Sequence, residues 1–199
     1  MKKIDIVILA GGKGSRIKEY LNNKPKPMLK FNNIYFLQYL LNNLTKYPIN
    51  KIYILTGFKH KIIHKNFHNK IINFTKIICI KEKKLMGTGG ALLGLQKNKI
   101  NDFLLINGDT IFNININDFV KSLKQNLIGS IALVSKKENS KSFKLNNLAL
   151  KKDLVTYSKK SNLINGGIYR FNKKIFKYLP KKYSSLEEDI LPKIIKKGL

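Results

Sequence analysis

The chain has 199 residues, 43% hydrophobic and 10% aromatic, which supports one sizeable core and gives no reason to expect a second domain. Its 39 Lys and Arg against 11 Asp and Glu give a net charge of +28, and Cys79, the one cysteine, excludes an internal disulfide. No apolar run approaches the roughly 20 residues of a membrane span and the first residues enter a strand-like run directly, so the sequence predicts a cytoplasmic protein with no membrane partner. The charge suits anionic substrates. It is nearly all Lys, only Arg16 and Arg170 being Arg, and it is spread along the chain, which reads as compositional bias more than as a nucleic-acid face.

Ile6-Val7-Ile8-Leu9-Ala10 has the pattern of a strand buried on both faces of a sheet. Gly11-Gly12-Lys13-Gly14-Ser15-Arg16 follows. The glycines remove side chains that would hold a polyphosphate away, and they permit positive φ values that turn successive N–H groups into one concavity. Arg16 adds a forked cation, and Pro25 and Pro27 restrict the backbone that presents Lys26. The spacing fits neither the dinucleotide fingerprint nor the phosphate loop with its Lys-Ser/Thr pair. It predicts a triphosphate cradle, with a plain glycine turn as the alternative.

Phe36, Leu37, Leu40, Leu41 and Leu44 recur at helical spacing, predicting an amphipathic helix over 35–46. Residues 51–56 read as a strand, Gly57 as a turn, and His60, His64 and His68 then share one helical face. With lysines around them and no acid beside them, that face reads as solvated rather than zinc-binding. Residues 76–80 form a buried strand in which Cys79 is a small hydrophobe. Beyond it Thr88 is placed to cap a helix that packs through Ala91, Leu92 and Leu95. Residues 103–106 are a third apolar strand, ending in Asn107-Gly108-Asp109-Thr110. Parallel α/β sheets gather ligands at the carboxyl ends of their strands, which makes Asp109 a metal ligand, an ordinary turn aspartate being the alternative. Residues 130–135 and 154–157 read as strands, with a basic loop over 136–144. Residues 163–171 form a strand headed by Asn165, Gly166 and Gly167, where glycine marks a bulge or the close approach of a ligand. Ser185-x-x-Glu188 is a capping box, so a last helix runs to about Lys197, with Pro192 near its first turn and Glu188 in a structural role. This alternation, without repeat or linker, predicts a single α/β domain over 1–199 with a mostly parallel sheet and helices on both faces.

Leu9-Ala10-Gly11-Gly12-x-Gly14-Ser15-Arg16, followed by Pro25-Lys26-Pro27-Met28, resembles the signature of the sugar-1-phosphate nucleotidyltransferases, in particular the bacterial heptose- and mannose-1-phosphate guanylyltransferases. Glu82, Leu85, Gly87, Thr88, Gly90 and Ala91 resemble that family's nucleobase loop, and Asn165-Gly166-Gly167-Ile168-Tyr169 its sugar-phosphate contact. The resemblance implies the Rossmann-like nucleotide-diphospho-sugar transferase fold, Mg²⁺ as cofactor, and a nucleoside triphosphate and a sugar 1-phosphate as partners. It implies transfer of the nucleoside monophosphate, GTP being favoured, with release of pyrophosphate, for surface polysaccharide or glycan synthesis. Catalytic roles then fall to Arg16 and Lys26, nucleotide contacts to Leu9, Ala10, Gly11, Gly12, Gly14, Ser15, Glu82, Gly87 and Thr88, substrate contacts to Asn165, Gly166, Gly167 and Lys160, and the metal to Asp109.

Two departures shape the expectation. Ser158-Lys159-Lys160 stands where members carry a Glu-Lys pair, so Lys160 keeps the cation and the acid is missing. The family's Phe-x-Asp-x-Gly segment, whose aspartate is a second metal ligand, would fall past Leu199, so Asp109 is expected to hold the metal alone and turnover to be slow. The alternatives are a degenerate nucleotide-binding homologue and, less favoured, a basic nucleic-acid binder; homo-oligomer formation stays open.

Overall fold

Ile- and Leu-rich runs become the middle strands of a mixed sheet in the computed structural model, which describes residues 3–21, 23–136 and 147–199. The side chains of Arg16 and Lys18, and the basic loop at 136–144 apart from Lys136, lie outside the described residues. In chain order the strands are β1 (Ile4–Ala10), β2 (Lys30–Phe31), β3 (Ile34–Tyr35), β4 (Ile49–Thr56), β5 (Ile71–Ile72), β6 (Thr75–Lys81) and β7 (Asp102–Asn107), then β8 (Gly129–Ser135), β9 (Leu148–Lys151), β10 (Leu154–Tyr157) and β11 (Leu163–Asn172). The helices are α1 (Phe36–Leu44), α2 (His60–Phe67), α3 (Gly87–Ala91), α4 (Ile116–Lys121) and α5 (Leu191–Lys196), joined by short 3-10 segments.

The sheet order is β10-β9-β11-β7-β1-β4-β6-β5, with β8 also paired to β11. Its parallel part, as the sequence predicts, is β7-β1-β4-β6. β11 and β5 flank it antiparallel, on β7 and β6 respectively. Because successive side chains of a strand point to opposite faces, the parallel strands feed two cores. Ile6, Ile8, Ile52, Ile54, Leu104 and Ile106 face α1, α2 and α4. Val7, Tyr53, Leu55, Phe103 and Leu105 face the segment 91–100 and the C-terminal helix. Tyr169 and Phe171 of β11 stack at 5.6 Å in this second layer, both fully buried, and each such side chain is worth about 1.5–3 kcal/mol of burial. Cys79 is buried as expected, and burial pushes its thiol up to about 12.

Three local expectations are corrected. His68 is not on a solvated face: it lies just past α2, and its Nδ1 accepts the Cys79 N–H at 3.1 Å. β5 reaches only Thr75 and Lys76 of β6, so the outer edge of β6 at Cys79 takes its partner from this side chain. The capping box is half made, Ser185 Oγ accepting from Glu188 N at 3.1 Å while the Ser185 N–H goes to Asp189 Oδ2 at 2.7 Å. Residues Leu186–Ile190 form a wide π turn, which brings the acid four positions on, instead of three, over that amide, and the turn passes into α5 just before Pro192. Thr88 caps nothing in its own helix, for α3 begins after Met86 with no side-chain cap.

Candidate active site

β1 lies between β4 and β7, so the chain leaves it to one side and returns to the other, and a crevice opens at the carboxyl ends of β1 and β7. A cavity of about 560 Å³ occupies that place. Its wall brings together Leu9, Ala10, Gly11, Gly12, Gly14 and Lys26 from the first segment, Glu82, Gly87 and Thr88 from the second, and Asp109 from the third. Ser15, Lys160, Asn165, Gly166 and Gly167 do not line it, and Lys160 sits exposed in a turn.

The three glycines of the first loop have three different jobs. Gly14 alone adopts a positive φ, +63°, and its N–H-bearing turn is closed by Ile17 N donating to Gly14 O at 3.0 Å. Gly12 has open space where a Cβ would stand, which suits a polyphosphate over the cavity mouth. Gly11, against expectation, is bare because the Glu82 carboxylate packs onto it; a Cβ there would collide with Glu82 Oε1. The open side of the loop is therefore at Gly12 rather than Gly11, with Lys13 on the cavity wall.

Lys26 sits in a 3-10 turn behind Pro25, whose φ of −62° fixes the approach. Its Nζ donates to Asp109 Oδ2 at 2.6 Å, both side chains being about two-fifths exposed. A cation and a carboxylate from segments 83 residues apart thus meet at the mouth of the crevice. Beside them Asn107 Oδ1 is buried and has no partner among the described residues, an acceptor left over at the end of β7.

The loop from Glu82 to Ala91 is tied to the C-terminal segment. Gly89 N donates to Ser184 O at 2.9 Å and Ser184 N to Met86 O at 2.9 Å. Gly87, at φ +75°, and Gly89 leave no room for a Cβ against the Ser184 backbone and Ile190, so these glycines serve packing of protein on protein. Gly87→Ala is expected to cost about 1–3 kcal/mol through its left-handed backbone, read as a lower midpoint in urea unfolding with an unchanged slope. Glu82 Oε2 accepts from Met86 N at 3.2 Å, yet burial outweighs that bond and holds its carboxyl above the ordinary 4.5. A raised carboxyl binds its proton more tightly folded than unfolded, so its contribution is favourable at low pH and is lost as pH rises through the raised value. The difference in melting temperature, wild type minus Glu82→Gln, should accordingly be more positive near about pH 4 than near about pH 7.

Glu187, which the sequence offers only as a fallback second metal ligand beside Asp189, lines the cavity half-buried. Its Oε2 accepts from Thr88 Oγ1 at 2.8 Å and Ser185 Oγ at 3.2 Å, and its Oε1 from the Tyr169 hydroxyl at 3.2 Å. Asn165 Nδ2 donates to that hydroxyl at 2.8 Å, which connects the head of β11 to the cavity wall. Gly166 and Gly167 lie at a register shift between β8 and β11, and a Cβ on Gly167 would meet Asn107 and Thr110 at about 3 Å. The local signal at Ser185-x-x-Glu188 pointed to a cap, and nothing within that segment marks the residue between as a hub.

The crevice is thus lined by glycines and has Lys26 and Asp109 at its mouth. Residues 5–199 match the family described as Nucleotidyl transferase. The chain belongs to that family. It is 33% identical over 181 residues to the bifunctional protein GlmU of Methanococcus aeolicus, covering 88% of this chain and 42% of that protein, so it spans less than half of that relative's length. It is 31% identical over 199 residues to the D-glycero-alpha-D-manno-heptose 1-phosphate guanylyltransferase of Aneurinibacillus thermoaerophilus, covering 96% of this chain and 84% of the relative. Among solved structures, HddC from Yersinia pseudotuberculosis complexed with GMP-PN superposes with a TM-score of 0.77 at 28% identity, over 96% of this chain and 86% of HddC. The nucleotidyltransferase fold expected from the sequence is the fold observed. Among the described residues no helix is long and apolar enough to cross a membrane.

Proposed function

We propose that the crevice at the ends of β1 and β7 transfers a nucleoside monophosphate from a triphosphate, GTP by preference, to a sugar 1-phosphate. The observation that carries this reading is the meeting of the glycine loop, Lys26 and Asp109 in one cavity. The guanylyltransferase relative and the GMP-PN complex of HddC support guanosine as the base. An oxygen of the sugar phosphate attacks the α-phosphorus in line; the new P–O bond forms as the bond to the β-phosphate oxygen breaks, and pyrophosphate leaves with the electron pair. The protein's part is positioning and charge neutralisation, with no covalent intermediate.

Residues 12–14 receive the β- and γ-phosphates through backbone N–H groups, joined by Lys13 and Arg16. Lys26, released from Asp109, faces the oxygens of the α-phosphate on which charge builds in the transition state. The donor set fits a hard divalent cation: Asp109 supplies a carboxylate at the cavity mouth and the unpaired Asn107 oxygen lies two residues away. Mg²⁺ there would polarise the phosphoryl oxygens. Asn165, Gly166 and Gly167 orient the sugar phosphate, with Lys160 approaching from its turn. The test is a pyrophosphate-release screen of four triphosphates against a panel of sugar 1-phosphates with Mg²⁺; fastest release with GTP supports the reading, and GTP as the slowest donor overturns the guanosine preference.

A further inference from the structure

Each of the three hydroxyls around Glu187 has its direction set by an N–H group. Gly167 N donates to Asn165 Oδ1 at 2.9 Å, which turns Asn165 Nδ2 toward the Tyr169 hydroxyl; that hydroxyl, already an acceptor, gives its proton to Glu187. Leu186 N donates to Thr88 Oγ1 at 2.8 Å, and Thr88 passes its proton to the same carboxylate. Glu188 N likewise fixes Ser185 Oγ. Three protons converge on one side chain, and only an acceptor-only group takes all three. Glutamine, isosteric with Glu187, would turn an NH₂ toward a hydroxyl whose proton has nowhere else to go. Burial pushes Tyr169 far above the usual phenol range, so it stays a donor.

The chain of bonds joins two parts of the crevice that lie far apart in sequence. One end is Thr88, in the loop that resembles the family's nucleobase loop; the other is Asn165, at the head of the strand that resembles its sugar-phosphate contact. Acids are scarce in this chain, 11 in 199 residues, and among the described salt bridges none involves Glu187, which is held by hydroxyls alone. A carboxylate kept at a cavity wall without a cation is costly unless its bonds are complete, and here they are complete only while both the loop and the strand stay in place. The Thr88 hydroxyl donates to Glu187 and accepts from Leu186 N, so it ties its loop to the C-terminal segment.

The geometry points to Glu187 as the positioning residue that couples the nucleotide loop to the acceptor strand, so that a triphosphate settled against 87–88 makes the 165–167 contact ready for the sugar phosphate. This rests on the transferase reading above. Binding is shared through one carboxylate, and reciprocity requires that each ligand tighten the other by the same factor.

The test is equilibrium binding, by calorimetry, of a non-reacting GTP analogue with Mg²⁺ and of the sugar 1-phosphate fastest in the pyrophosphate screen, each alone and together. In the wild type the analogue should tighten the sugar phosphate by roughly fivefold or more. In Glu187→Gln and Tyr169→Phe that factor should fall to about one while each ligand alone binds within about twofold of the wild type. Thr88→Val cuts the same relay from the loop side and stands in should a β11-side variant fail to fold. Coupling that survives in these variants overturns the inference. So does a uniform loss of both affinities with the ratio unchanged, which is what a merely structural Glu187 would give. A wild type that binds the analogue and accepts no sugar phosphate removes the transferase reading, and the inference with it.

Discussion

Replacing Lys26 by Ala should lower turnover about a hundred- to a thousandfold and leave the fold in place. The ammonium is set by Pro25 at the mouth of the crevice and pairs with Asp109 at 2.6 Å, so its reach is already limited to the space where phosphate would sit. In the proposed transfer it faces charge that grows in the transition state, and losing a single such donor raises a barrier by about 3–4 kcal/mol. Stability is a separate matter. The pair is two-fifths exposed on both sides and contributes less than about 1 kcal/mol, so the melting temperature should move by no more than about 4 °C. Steady-state rates beside a thermal melt separate the two effects. Lys65→Ala, exposed on α2, is the control for loss of one positive charge from the field.

Asp109→Asn should be as severe, by a different route. The amide keeps the shape and can still accept from Lys26, so the crevice stays assembled, but it carries no charge for a divalent cation. Turnover is expected to fall at least about a hundredfold and the Mg²⁺ concentration for half-maximal rate to rise, while the apparent affinity for the triphosphate changes little. A metal titration at saturating triphosphate reads this directly. Because Lys26 and Asp109 touch, their effects should not add: the double variant should be scarcely worse than either single one, and a fully multiplicative loss would mean that the two residues act independently.

The elements that hold this site are legible in the sequence because strands buried on two faces leave a local mark. The apolar runs at 6–10, 51–56, 76–80 and 103–106 become β1, β4, β6 and β7 within two residues at either end. The loop after β1 and Asp109 after β7 follow from where such strands put their ligands. What stays hidden depends on partners distant in the chain. Gly11 reads as room for phosphate, and its neighbour is in fact a carboxylate 71 residues on, Glu82. Gly87 reads as part of a nucleobase loop, and its bare Cα also makes room for the Ser184 backbone. Glu187 is set by Thr88, Tyr169 and Asn165, of which no local spacing gives notice. Short elements escape for the opposite reason: β2 and β3 are two residues each around Asn32 and Asn33, both at positive φ, and so small a hairpin leaves no periodicity to read.

If the α-phosphorus of a triphosphate passes to a sugar phosphate in this crevice, the fate of that phosphorus reports it. The chain is incubated with Mg²⁺, a sugar 1-phosphate and GTP labelled at the α-position, and the products are separated. The label should appear in a nucleotide sugar in step with unlabelled pyrophosphate, and Lys26→Ala and Asp109→Asn should suppress both together. Label recovered as free nucleoside monophosphate, or left in the triphosphate across the whole panel of sugar phosphates and bases, would contradict the transfer.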